Sequence, residues 1–112
     1  MTDVVIVLTT VPEGDLGETI ARRLIEERVA ACVNVSAPMT SLYRWRGVVE
    51  LETERQLVIK TTRERVPAVQ ASIAKLHSYE LPEFIVLAVA DGSTAYLDWL
   101  QGEVTANLKS ES

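Results

Sequence analysis

The sequence predicts an α+β fold in which two helices cover one face of an antiparallel sheet. Two observations predict it. Short β-branched runs and stretches with helical apolar periodicity follow one another along the chain in the order strand, helix, strand, strand, helix, strand. The two middle strands flank the two-residue turn Arg46-Gly47 and therefore form a hairpin. This order is the split βαβ pattern of the ferredoxin-like sandwich, in which right-handed crossovers place both helices on the same face.

The first part of the chain is predicted to form one strand and one helix. The β-branched run Val4–Leu8 is uninterrupted by polar residues, which indicates a strand that is buried on both faces. Asp15 and Glu18 have the spacing of a helix capping pair. The apolar residues that follow recur at i, i+4 and i+8, so this helix is expected to reach about Arg28.

A long hairpin from Cys32 to Thr61 is the central element of the predicted fold. The register set by its turn gives the pairs Trp45–Val48, Tyr43–Glu50, Val35–Val58 and Asn34–Ile59. Pro38 has no amide hydrogen for the ladder, so it is predicted to mark a bulge or an edge. The arms are about twice as long as a typical strand.

The second part of the chain is predicted to add a helix and a fourth strand. Thr61 or Thr62 is the expected cap of the helix, whose apolar stripe ends near His77. Pro82 blocks the continuation of the helix, so the residues around it form a loop. The apolar run Phe84–Val89 is the fourth strand.

A turn at Asp91-Gly92-Ser93 is predicted to start a short third helix that ends about Gly102. Residues 103–112 are expected to be a mobile tail. The 112 residues suffice for one core and not for two, so residues 1–112 are predicted to form a single domain with its core at about 4–102.

The composition argues against nucleic-acid and membrane partners. The chain is 47% hydrophobic and 24% charged with a net charge of -5, so it has no excess of basic residues for nucleic acid. Its longest apolar run is well below the roughly 18 residues of a membrane span. Cys32 is the only cysteine and cannot form an internal disulfide, and the start of the chain lacks a signal-peptide pattern. A reducing, cytoplasmic location is therefore expected.

The strand pattern also predicts self-association. The first and fourth strands do not alternate between apolar and polar residues, although the two main helices cover only one face of the sheet. The hairpin arms extend beyond these strands and leave unpaired backbone. We therefore expect a homo-oligomer in which the sheets pack inward and hairpin ends pair with neighbouring chains. The alternative is a monomer with one sheet face left open to water.

Several motifs in sequence order resemble the CutA divalent-cation-tolerance family, and together they extend from about Val4 to Trp99. They are Ala31-Cys32-Val33-Asn34, Ser41-Leu42-Tyr43-Arg44-Trp45-Arg46-Gly47, Ile59-Lys60-Thr61, His77-Ser78-Tyr79-Glu80-Leu81-Pro82-Glu83 and Tyr96-Leu97-Asp98-Trp99. The resemblance implies a ferredoxin-like subunit in a homotrimer, similar to the PII signal-transduction proteins. It also implies a role in tolerance of copper and other divalent cations.

His77, Glu83 and Cys32 are the predicted metal ligands, because an imidazole, a carboxylate and a thiolate together suit copper or zinc. They lack the close spacing of a strong metal motif, and each has a structural alternative. The alternative for Cys32 is a buried thiol, that for His77 is an imidazole at a helix end, and that for Glu83 is a solvated strand end. Copper-ligating members of the family have a cysteine where this chain has Thr9-Thr10 and a second histidine where it has Leu76.

Tyr43, Lys60 and Tyr79 are predicted to line a cleft for a small anion, with packing at a subunit interface as the alternative. Tyr43, Trp45 and Trp99 are assigned to the trimer interface, since aromatic residues are enriched at interface cores.

No catalytic set is evident: the chain has one histidine, no nucleophile elbow and no glycine-rich phosphate loop. The alternating acids Glu50, Glu52 and Glu54 are expected to be a solvated strand face. The sequence thus predicts a non-enzymatic trimer that binds a divalent metal such as copper at clefts between subunits. The alternatives are a PII-like sensor of a small ligand and a scaffold that docks another protein.

Overall fold

The computed structural model describes residues 2–110, with side chains up to Thr105. The elements are β1 (Val4–Pro12), α1 (Leu16–Glu26), β2 (Cys32–Val35), β3 (Met39–Trp45), β4 (Val48–Thr62), α2 (Val66–Leu76), β5 (Ile85–Ala88) and α3 (Thr94–Ser110). The sheet is antiparallel with strand order β2-β4-β1-β5, and β3 pairs with the outer part of β4. The predicted α+β fold with a long central hairpin is confirmed.

One face of the sheet carries the hydrophobic core beneath α1 and α2. The cluster includes Val5, Val7, Ile20, Leu24, Leu57, Ile59, Val69 and Ile73, all at most 2% exposed. In β1 and β4 these residues are the odd-numbered ones, because alternate side chains of a strand point to opposite faces. The even-numbered residues therefore form a second face, which α1 and α2 do not cover.

Helix α1 begins where predicted but ends earlier. Asp15 occupies the N-cap position without a side-chain hydrogen bond, and the helix ends at Glu26. It does not reach Arg28, because Arg28 has a φ of 58° and leaves the helical conformation. Near its start, a Cβ at Gly17 would lie 3.0 Å from Cγ2 of Val11. Glycine at this position therefore permits the close approach of α1 to the sheet.

The predicted hairpin tip is confirmed. Trp45 lies opposite Val48. Arg46 and Gly47 have φ values of 52° and 84°, as a type I′ turn requires.

Beyond Pro38, however, the predicted register is wrong by one residue. Val35 pairs with Leu57 and Asn34 with Val58. Residues 36–38 of the first arm oppose only residues 55–56 of the second, so the first arm contains an extra residue in the manner of a β-bulge. The bulge splits the arm into β2 and β3.

Two predicted boundaries in the second part of the chain are also wrong. Thr62 is the last residue of β4 and is followed by a 3-10 turn, Arg63–Arg65, so it does not cap α2 directly. Strand β5 is shorter than the predicted run and comprises Ile85–Ala88. The predicted end of α2 near His77 is confirmed.

The predicted end of the third helix near Gly102 is wrong, because α3 continues to Ser110. Leu100 and Val104 lie four residues apart and are 1% and 0% exposed, so they form one buried stripe that spans the glycine. The Nε and Nη2 atoms of Arg65 donate hydrogen bonds to the Val104 carbonyl oxygen at 3.0 and 2.8 Å. Glu111 and Ser112, the end of the predicted tail, lie outside the described residues.

Helix α3 covers only part of the second sheet face. Its main contacts with the sheet are with β1 and β4, whereas Ile85 and Leu87 of β5 are each 46% exposed. Leu8, which pairs with Ile85, is only partly buried. An apolar area therefore remains open in a single chain. Within residues 2–110, no helix combines the length and apolar character needed to cross a membrane.

Candidate functional site

A cleft of about 880 Å³ opens on the second sheet face, between the outer hairpin and the loop that follows α2. Register explains its position: β3 pairs with β4 so that Ser41, Tyr43 and Trp45 point to the same side as the even-numbered residues of β4. Residues 79–84 of the loop form the opposite wall. The cleft therefore lies where the overlong hairpin leaves the body of the sheet.

The lining of the cleft is acidic and aromatic. It contains the carboxylates Glu52, Glu54, Glu80 and Glu83 and the aromatic residues Tyr43, Trp45, Tyr79 and Phe84. No lysine or arginine is among its described lining residues. Partial desolvation, followed by the charges of Glu52, Glu50 and Glu54, raises the pKa of the exposed Tyr43. The cleft thus has a negative potential, which disfavours anions.

Lys60 does not join Tyr43 and Tyr79 in this cleft. It lies on the second face opposite Ile6 and Cys32, six residues along β4 from Glu54. Six residues of extended strand correspond to about 20 Å. The two tyrosines therefore line the cleft without the predicted cation.

Glu54 and Tyr79 form the most buried polar contact of the cleft. The Tyr79 hydroxyl donates a hydrogen bond to Oε2 of Glu54 at 2.7 Å, and Glu54 is only 7% exposed. Burial, together with this hydrogen bond and the charge of Glu54, raises the pKa of Tyr79 well above its ordinary value. The expectation of a solvated strand face is therefore wrong for Glu54, because the loop after α2 covers it.

His77 uses both ring nitrogens within the chain. Its Nε2 lies 2.7 Å from the Thr10 carbonyl oxygen, and its Nδ1 accepts a hydrogen bond from the Tyr79 amide at 3.1 Å. A carbonyl can only accept, so Nε2 carries the proton and the ring is the neutral tautomer. The imidazole also packs on the Tyr79 ring, with centroids 4.6 Å apart. His77 therefore fastens the start of the loop to β1.

Gln56 positions Glu83 at the floor of the cleft. Its Nε2 donates to Oε2 of Glu83 and to the Thr9 carbonyl oxygen, each at 3.1 Å. Sequence reasoning missed both Gln56 and the burial of Glu54. The sequence signal for them was that Glu54 and Gln56 lie two residues apart, and therefore on the same face of a strand that becomes apolar at Leu57.

Cys32 lies apart from His77 and Glu83. It pairs with Lys60, four residues along β4 from Gln56, which corresponds to about 13 Å. In the part of the chain that the structure describes, no three His, Cys, Asp or Glu side chains come together as a metal ligand set. The three predicted ligands are thus not brought together within one chain.

The predicted interface aromatics occupy two separate regions. Trp45 lies at the hairpin tip, where the Arg46 guanidinium stands 5.3 Å from the centre of its ring. Arg46 also forms an exposed ion pair with Glu80 at 3.2 Å, which links the tip to the loop. Trp99 is 46% exposed on α3 and packs against Tyr96 with ring centroids 5.5 Å apart.

Comparisons with known proteins agree on one family. Residues 5–103 match the family described as CutA1 divalent ion tolerance protein. The divalent-cation tolerance protein CutA of Thermus thermophilus is 45% identical over 86% of this chain and 93% of its own length. The structure described as the PII-like protein CutA from Nostoc sp. PCC 7120 has a TM-score of 0.83 and 40% identity, over 89% of this chain and 96% of that one. Plant and animal relatives are longer, and the chain spans about half their length.

The predicted cytoplasmic location is wrong as an inference from the sequence. The Archaeoglobus fulgidus structure, described as a periplasmic divalent cation tolerance protein CutA, has a TM-score of 0.87 and 33% identity, over 90% of this chain and 98% of that one. A fold of this kind therefore occurs in a protein assigned to the periplasm. A single cysteine cannot form an internal disulfide in either compartment, so the cysteine count does not discriminate between them.

Proposed function

Because the chain belongs to the CutA1 divalent ion tolerance family, we propose that it acts as a homotrimer that binds divalent metal, such as copper, at clefts between subunits. The proposed role is binding rather than catalysis. The observation that carries it is the acidic cleft, which adjoins an apolar sheet face that the chain itself leaves open.

The outer hairpin supports the assembly. Residues 48–53 of β4 pair only with β3 among the described strands, so their other backbone edge is available to a neighbouring chain. The exposed apolar residues of this region are Leu42, Val48, Val49 and Leu51, at 58–67%. Light scattering should give three times the 12.4 kDa mass of one chain at micromolar concentration. A monomeric mass would contradict the proposed assembly.

The donor atoms of one chain do not form a complete metal site. His77 can coordinate only if it gives up its hydrogen bond to Thr10 or to Tyr79, and Glu83 shares one oxygen with Gln56. A metal held by His77 or Glu83 therefore needs further donors, and the proposal takes them from a second subunit. Titration calorimetry of the metal-free protein with Cu(II) and Zn(II) tests the proposal directly.

We expect His77→Ala to weaken copper binding at least tenfold, which equals about 1.4 kcal/mol. The expected loss arises because His77 is the only imidazole in the chain and copper favours nitrogen ligands. The measurement is the dissociation constant for Cu(II), obtained by calorimetry on metal-free protein.

Two further variants separate ligation from structure in this experiment. His77→Asn offers one donor and one acceptor in place of the ring nitrogens but is a poor copper ligand, so it should lose affinity as the alanine variant does. Glu26→Gln changes an exposed carboxylate on α1, away from the cleft, and should bind as the parent does. An unchanged affinity in both His77 variants would place the copper site elsewhere.

A PII-like role in sensing a small ligand is the second candidate function. It is favoured by the size of the cleft, which is larger than a bare metal ion requires and lies within the usual range of small-molecule pockets. The absence of basic residues from the described lining argues against the anionic ligand predicted from the sequence. Calorimetric heat from nucleotides, without heat from Cu(II) or Zn(II), would nevertheless favour a sensor of an anionic ligand over a metal-binding protein.

A further inference from the structure

The segment that follows α2 is attached to the rest of the chain mainly by side chains. In the part of the chain that the structure describes, residues 78–82 form no backbone–backbone hydrogen bond, and Leu81 is 71% exposed. The two ends of this segment are fastened to the sheet, through His77 to β1 and through Glu83 to β4. A segment with few backbone hydrogen bonds and much exposed surface opens at a lower free energy than the sheet beneath it. Residues 78–82 are called the strap below.

Tyr79 holds the strap against the sheet at two points. Its amide donates a hydrogen bond to Nδ1 of His77 at 3.1 Å, and its hydroxyl donates one to Oε2 of Glu54 at 2.7 Å. A hydrogen bond to a carboxylate is stronger than one between neutral groups, so the hydroxyl is the principal attachment. The ion pair between Arg46 and Glu80 is exposed on both sides and adds little. The position of the strap therefore depends chiefly on the phenol of Tyr79.

The amide of Tyr79 blocks the one nitrogen of His77 that could coordinate a metal ion in the observed tautomer. Nε2 carries the ring proton and donates it to the Thr10 carbonyl oxygen at 2.7 Å, which leaves Nδ1 as the ring atom with a free lone pair. Tyr79 occupies that lone pair. Freeing Nε2 would require a change of tautomer, whereas freeing Nδ1 requires only that the strap move. The observed conformation is thus one in which His77 is unavailable to a metal.

We propose that the strap is an autoinhibitory element: while Tyr79 is bound to Glu54 it blocks Nδ1 of His77, and its release makes that nitrogen available to a metal ion. This inference rests on the proposed metal function. A metal that binds only the released state has an apparent affinity reduced by the fraction of chains in that state. Loss of the Tyr79 hydroxyl should therefore strengthen metal binding, although it removes a stabilising hydrogen bond.

Hydrogen exchange of the metal-free, full-length protein tests whether the strap opens by itself. The Tyr79 amide should be at least about tenfold less protected than the hydrogen-bonded amides of the β1–β4 ladder. Its protection should also depend little on urea, because opening of five residues exposes little surface. If the Tyr79 amide has the same protection and the same urea dependence as the ladder, the strap opens only when the whole chain unfolds, and the inference is wrong.

Calorimetry with Cu(II) on Tyr79→Phe tests whether the strap blocks metal. The variant keeps the amide and the aromatic ring but loses the hydroxyl, so the strap opens more easily and Cu(II) should bind at least about fivefold more tightly than to the parent. Tyr96→Phe makes the same change at an exposed residue of α3 and should bind Cu(II) as the parent does. Far-UV circular dichroism under the same conditions establishes that both variants remain folded.

The outcomes separate this inference from the proposed metal function. Equal or weaker Cu(II) binding by Tyr79→Phe, with binding by the parent, would overturn the inference alone. Absence of Cu(II) binding from both proteins would overturn the inference together with the proposed function. Binding by Tyr79→Phe but not by the parent would support the inference in its strongest form. An equal gain in Tyr96→Phe would mean that the strap is not the cause, which also overturns the inference.

Discussion

Trp45→Glu is expected to convert the proposed trimer into smaller species. Trp45 lies at the tip of a hairpin that extends beyond the sheet, and its side chain is only half-buried in a single chain. If the remaining surface packs against a neighbour, the substitution places an unpaired charge in that contact, at a cost of several kcal/mol for each interface. Light scattering at micromolar concentration measures the effect as a fall in mass toward 12.4 kDa.

Two matched variants show whether charge at this site is the cause. Trp45→Phe retains an aromatic ring and should retain the trimer. Arg22→Glu introduces a carboxylate at an exposed position on α1 and should also leave the mass unchanged. Far-UV circular dichroism establishes that each chain remains folded. A Trp45→Glu protein with the full trimer mass would remove the hairpin tip from the assembly interface.

Local patterns predicted the hairpin tip and a bulge or edge at Pro38, but the pairs beyond Pro38 were predicted for an unbroken arm. The Arg46-Gly47 turn fixes the first pairs because its length and positive φ values specify one geometry. The bulge at residues 36–38 then exchanges the faces of the first arm. Val35 points to the core and Asn34 to the second face, whereas an unbroken register would place them the other way. The apolar character of Val35 was the signal that favoured the bulged arrangement.

The candidate site was predicted in part. Tyr43, Tyr79 and Glu83 line one cleft as side chains from the hairpin and the loop, but Lys60 does not. Strand geometry could have excluded Lys60, because about 20 Å of extended strand separates it from Glu54. The burial of Glu54 could not be read from its alternation with Glu50 and Glu52. It results from a loop that is distant in sequence and is held by His77.

Tyr79→Phe is expected to lower the free energy of unfolding by about 2–3 kcal/mol, because it removes the only described hydrogen bond of a buried, charged carboxylate. Urea denaturation of both proteins at one chain concentration measures the difference, since stability of an oligomer depends on concentration. Tyr96→Phe is the matched control: Tyr96 is 43% exposed and its hydroxyl has no hydrogen bond among the described residues, so its removal should cost little.

The Tyr79 contact should also make stability fall in alkaline solution. The raised pKa means that the folded protein favours the neutral phenol, so this contribution is complete below the ordinary tyrosine pKa of about 10. The stabilisation by Tyr79 is lost as the pH rises from about 10 through the higher pKa that Tyr79 has in the folded state. Phenylalanine cannot ionise, so the stability difference between parent and Tyr79→Phe should narrow above about pH 10. A difference that stays constant to about pH 11 would mean that Glu54 and the loop do not hold the phenol in its neutral form.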